Sequence, residues 1–136
     1  MRGYVTFRLG ERCFATPLDE VREVVRLREL EALPGMQAPL AGVIVLRGVP
    51  LPVLDVRPEG AGRAGGDVIV LERAGGEAVG VAVDAVLAVR GEHEFAEARS
   101  AAPANLPSYV VEVLQDATGP VLLVNLERLL ELTAAA

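Results

Sequence analysis

Residues 42–57, GVIVLRGVPLPVLDVR, constrain this chain more than any other stretch. Val, Ile and Leu fill two short runs, 43–46 and 49–56, on either side of Arg47 and Gly48. Aliphatic, β-branched runs of that length bounded by a turn signal read as buried or half-buried strands. Gly48 supplies the positive φ that tight hairpin turns demand, so the runs pair as a hairpin with Arg47 at its tip. Pro50 and Pro52, two apart, fall on one side of the second strand and remove two N–H donors there. The hairpin therefore presents an apolar, partly unpaired edge with a cation at its end. The chain itself or a partner must cover such a surface.

Similar hairpins recur along the chain. Residues 4–9 alternate, with Val5, Phe7 and Leu9 on one face; Gly10 and Glu11 turn, and 12–15 return. Thr16, Pro17 and Asp19 spell a short helix start with Thr16 as its cap. Residues 24–27 read as a strand, and 33–39 as a loop punctuated by Pro34, Gly35 and Pro39. After the organising hairpin comes a Gly-rich linker, RPEGAGRAGG, at 57–66. Residues 68–73 and 78–83 form another hairpin, and 84–89 echo the earlier short helix and strand. Residues 90–106 have no firm period; their Ala and Glu suit one helical turn in a long connection. A last hairpin pairs 110–114 with 121–124, and Asn125 caps a terminal helix with Leu126, Leu129 and Leu130 on one face.

The order strand, turn, strand, short helix, strand, loop, hairpin thus occurs twice. PLPVLDV at 50–56 aligns with PVLLVNL at 120–126. Two copies are too few for a solenoid. Two small β-barrels packed together fit better, because closure removes the edges that short strands expose. Neither lobe alone buries enough surface to stand by itself.

Composition narrows the chemistry. At 136 residues and 51% hydrophobic, the chain suits one domain, or two very small lobes sharing an interface. A formal charge of -6 disfavours nucleic acid or an anionic membrane as the main partner. No apolar run reaches signal-peptide or membrane-spanning length, so the expected setting is cytoplasmic, with no direct membrane insertion. A single Cys excludes an intramolecular disulfide and a Cys-rich metal site. Cys13 lies in an apolar strand and reads as a buried structural thiol. His93, the only histidine, sits between Glu92 and Glu94 and reads as solvated. No Ser occupies a GxSxG elbow, and the carboxylates have no metal-binding or acid–base spacing. GAGRAG at 60–65 spells GxGxxG, but a strand follows where a dinucleotide site needs a helix, so it reads as a flexible loop. No catalytic residue, cofactor or metal site is expected. Asp55 beside Arg57 reads as a structural carboxylate that accepts backbone N–H bonds or pairs with an arginine. Val21 and Val24 read as core, although a short helix beside an inter-lobe cleft could expose one of them. Arg47 alone would be a solvated turn residue; its place between two apolar strands singles it out.

On GVIVLRG at 42–48 followed by PVLDVR at 52–57, the chain resembles the CheW family of bacterial chemotaxis coupling adaptors. The resemblance runs from about Tyr4 to Leu130 and includes FRLG at 7–10, Leu18 through Val24, and VGV at 79–81 through Asp84. It implies an all-β fold with short helices: two SH3-like five-stranded β-barrel lobes packed together. Residues 1–133 would form a single CheW-like domain. Lobe one would span about 12–60 and lobe two about 67–125, with the N-terminal strand a candidate addition to the second and a helix at 125–133. The resemblance also implies a non-catalytic scaffold that couples the cytoplasmic tip of chemoreceptors to the regulatory domain of a CheA-type histidine kinase. It places Val21, Glu23, Gly42, Arg47, Gly48 and Val49 at partner-binding positions in or near the inter-lobe groove. Val45, where many members carry Asn, and the short loop after Arg57 depart from the pattern. They leave the partner set open: flagellar chemotaxis, a pilus or gliding chemosensory system, or a divergent paralogue. A small-ligand-binding or enzymatic β-barrel using the groove is the alternative from another class.

Overall fold

Hairpins and two parallel contacts generate the architecture. The computed structural model describes residues 3–37, 39–58, 65–73, 75–95 and 99–134. The strands in chain order are β1 (Gly3–Leu9), β2 (Arg12–Pro17), β3 (Val21–Arg26), β4 (Leu40–Leu46), β5 (Val49–Asp55) and β6 (Asp67–Glu72). They continue with β7 (Ala78–Val83), β8 (Ala85–Gly91), β9 (Arg99–Ala101), β10 (Val110–Asp116) and β11 (Gly119–Val124), and helix α1 (Leu126–Ala134) follows. One sheet runs β3-β6-β7-β5-β4 and the other β8-β1-β2-β11-β10-β9. Neighbours are antiparallel except β5 with β7 and β11 with β2.

The two orders are the same arrangement twice: a lone strand, an antiparallel hairpin, then a second hairpin joined through a parallel contact. That is the repeat read from the sequence, with β9 added to one copy. The sheets divide the chain differently from 12–60 and 67–125, however. Lobe one takes the consecutive strands β3 to β7, and lobe two is assembled from both sides of them in the chain, β1–β2 and β8–β11. Local signals reveal each hairpin but not the neighbour it docks on. The β6–β7 hairpin pairs with β3 and β5, and the β1–β2 hairpin pairs with β8 and β11.

Alternation assigns the side chains to three cores. Val68 and Val70 of β6 point into lobe one with Leu27, Ile44, Leu51, Val53 and Ala82. Their neighbours Ile69 and Leu71 point the other way, into a core shared between the lobes with Phe7, Leu54, Val81, Val110 and Leu126. A strand buried on both faces must read as a continuous apolar run, as VIVL does. Tyr4, Ala15, Phe95, Leu114, Val121 and Leu123 fill lobe two.

Several local expectations need correction. Thr16 does not cap a helix: it is a buried residue of β2, and its hydroxyl finds no hydrogen-bond partner among the described residues. Pro17 stands at the cap position of the 3₁₀ turn Leu18–Glu20 instead, without a side-chain cap bond. In the second copy a bend at Asp84 replaces that turn, and the helical turn falls later, at Glu92–Phe95. The terminal helix follows expectation: Asn125 Oδ1 accepts from the Arg128 amide at 3.1 Å, and Leu126 is buried. The GxGxxG stretch lies outside the described residues apart from Gly65.

Candidate functional site

The β4–β5 hairpin closes through a two-residue turn between the paired residues Leu46 and Val49. Both turn residues have positive φ, +50° at Arg47 and +81° at Gly48. Positive φ at both positions is the geometry that matches hairpin twist. Glycine adopts it freely, but an arginine there is unusual. A long cation in a turn position that Asn or Gly would adopt more easily makes Arg47 a candidate functional residue.

Its partner is Glu23 of β3. Arg47 donates through Nη1 to Glu23 Oε1 at 3.0 Å and through Nη2 to Oε2, a two-pronged fork. β3 bulges between Val21 and Glu23, and bulges re-aim side chains beside functional sites. The guanidinium holds the Glu23 carboxyl below the usual carboxylate range, through the hydrogen bonds first and the opposite charge second. The same bonds raise the Arg47 pKa. The Arg47 side chain is 64% exposed, so this is a surface pair, which orients the cation more than it stabilises the fold.

Apolar surface surrounds the fork. Val45 and Val49 are 68% and 64% exposed, and Val24 is also exposed. A groove of about 580 Å³ opens beside the turn, lined by Arg22, Arg47, Val49, Pro50, Pro52 and Ala78 among others. The β5–β7 pairing spans only 53–55 and 80–82, so the stretch of β5 carrying both prolines runs past its parallel neighbour. A second groove of about 380 Å³, lined by Val25, Arg28, Glu31 and residues 43–46, flanks the other side of the hairpin.

Of the six residues singled out from sequence, Glu23, Arg47, Gly48 and Val49 come together here. Val21 lies at the start of β3, half-buried against the inter-lobe core. Gly42 is buried, and the fold gives it a separate reason to be glycine. A Cβ there would stand 2.5 Å from the Glu31 carbonyl oxygen. The chain beyond β3 crosses at that point and pairs with Val43 through two backbone bonds of 2.8 and 2.9 Å. Through that bridge the chain leaving one edge strand of lobe one's five-stranded sheet, β3, meets the other edge strand, β4. Sequence reading missed Arg22 and Ala78 as groove residues, because only the docking of the β6–β7 hairpin beside β5 brings Ala78 there.

Asp55 does not reach Arg47. It takes Arg57 Nε at 2.9 Å on Oδ1 and Nη2 at 2.7 Å on Oδ2, and also accepts the Arg57 amide. Both side chains are buried, and Arg57 Nη1 donates onward to the Gly65 carbonyl. Cys13 is half-buried rather than buried, and His93 is exposed. Among the described residues no cluster of His, Cys, Asp or Glu could hold a metal ion. No helix there is long and apolar enough to cross a membrane.

Fold and site together define a two-lobed β protein with a forked surface ion pair between open grooves. The CheW-like domain family matches residues 3–134, and the chain belongs to that family. Comparison with curated proteins yields no match. Among solved structures, the fold resembles the crystal structure of scaffolding protein TtCheW from Thermoanaerobacter tengcongensis. The TM-score is 0.70 at 24% identity, covering 91% of this chain and 88% of that one.

Proposed function

We propose that this chain is a non-catalytic scaffold that couples the cytoplasmic tips of chemoreceptors to the regulatory domain of a CheA-type histidine kinase. It works in the cytoplasm as one unit over about residues 1–133, reaching the membrane only through its partners, and needs no cofactor. Arg47, Gly48 and Val49 form the contact tip, Glu23 aims the arginine, and Val21 supports β3 from the inter-lobe side. Gly42 acts from beneath, by letting the chain beyond β3 meet β4.

The observation that carries this reading is the Glu23–Arg47 fork, set among exposed valines on the hairpin that carries the most specific part of the sequence resemblance. Membership of the CheW-like family and the likeness to the scaffolding protein TtCheW support it. The test is reconstitution with a receptor cytoplasmic fragment and a CheA-type kinase. The protein should bind both and change kinase autophosphorylation only when receptor is present. Binding to neither, or a saturable hydrolase or transferase activity abolished by a groove substitution, contradicts the proposal.

A further inference from the structure

The chain passes between the sheets twice, at Leu18–Glu20 and at Asp84. Lobe one is thus an insertion in lobe two, hung on two short connectors. The inter-lobe core is apolar, and apolar burial is non-directional. It holds the lobes together, while directional bonds add a sharper preference for one angle between them. Hydrogen bonds to carboxylates are directional and roughly twice as strong as neutral ones.

Two such bonds flank the second connector. Asp67, at the start of β6 in lobe one, accepts the amide of Val86 in β8 of lobe two at 2.8 Å. Asp84, in the connector itself, accepts the amide of Gly10 in the β1–β2 turn at 2.7 Å. The Asp84 amide also donates to Arg8 O at 3.1 Å. On the lobe-one side, the charge of Asp84 acts on Arg57 of the buried Asp55–Arg57 pair. Arg57 in turn grips Gly65 just ahead of β6. Asp67 is further steadied by Arg26 at 3.5 Å.

We propose that Asp67 and Asp84 are a two-carboxylate staple that sets the angle between the lobes, whichever partners the lobes meet. Cores in each lobe provide stability; the staple provides orientation.

A distance measurement between lobes tests this. Spin labels go on Glu77→Cys in lobe one and Ala117→Cys in lobe two, both exposed positions, with Cys13→Ala to avoid labelling the native thiol. In this background pulsed dipolar spectroscopy should give one narrow distance distribution. The Asp67→Ala/Asp84→Ala variant should broaden it, while amide exchange in β6 and β10 keeps its protection. The Asp67→Asn/Asp84→Asn variant keeps a carbonyl oxygen for each amide without the charge, and should give a distribution narrower than that of the alanine variant. An unchanged distribution in the alanine variant overturns the proposal. So does loss of protection in both lobes, which would make the two aspartates general stability residues. Equal broadening with alanine and asparagine overturns it as well, because the bonds would then not be what orients the lobes.

Discussion

Gly42→Ala separates a structural glycine from a contact glycine. The added Cβ would lie 2.5 Å from the Glu31 carbonyl oxygen, 2.9 Å from its carbon and 3.1 Å from Leu30 Cδ1. Carbon–oxygen contacts normally start near 3.3 Å. The two backbones must therefore part by roughly 0.8 Å to reach that distance. Bonds of 2.8 and 2.9 Å between Glu31 and Val43 would then stretch beyond useful range. Residual overpacking contributes about 1–3 kcal/mol. Losing two backbone bonds adds about 1 kcal/mol each, less because Glu31 is exposed and water can replace part of them. The expected destabilisation is about 2–4 kcal/mol. Urea unfolding measures it, and hydrogen exchange at the Val43 amide localises it to the crossing. A change below about 0.5 kcal/mol with Val43 still protected would refute the reasoning, since the crossing would then not be what demands glycine.

Two further substitutions probe the ion pairs. Asp55→Ala leaves the buried Arg57 guanidinium without its carboxylate and should destabilise the fold by about 3–5 kcal/mol. A loss under about 1 kcal/mol in the same denaturant assay would mean that Arg57 is rescued by solvent. Asp116 titrates low, at about 2 against 3.8, because the Thr118 hydroxyl and then Arg90 hydrogen-bond its charged form. Its contribution is complete above the unfolded value and is lost as pH falls through about 2, so Asp116→Asn should flatten the acid limb of the stability profile. Parallel limbs for the two proteins would contradict that assignment.

Much of the fold was legible because it is local. Arg47-Gly48, Gly10-Glu11 and the turn before Gly119 announce hairpins by turn chemistry, and Asn125 announces the terminal helix. The twofold pattern was legible for the same reason. The parallel contacts β5–β7 and β11–β2 were not, because nothing in a strand's own residues names a distant parallel neighbour. That is why the sequence division of the lobes differs from the sheets. Strand β9, three residues long, carries too little pattern to stand out. Arg47 stands out by its place at the hairpin tip and Glu23 by resemblance; only the folded bulge in β3 shows that they meet. Thr16 misled because Thr-Pro before an acidic residue has a helix-start signature, while burial in β2 decided otherwise.

The account turns on Arg47 being an interface anchor and not a structural one, and a paired measurement on Arg47→Ala decides it. Thermal melting of the free protein reads the fold, and titration against a receptor fragment and a CheA-type kinase reads the interface. Because the pair with Glu23 is exposed, the melt should be essentially unchanged. Loss of a forked anchor should weaken binding to at least one partner roughly thirtyfold, and Arg47→Lys should not restore it, since an ammonium cannot form the fork. A normal melt with unchanged affinity for both partners would contradict the central claim.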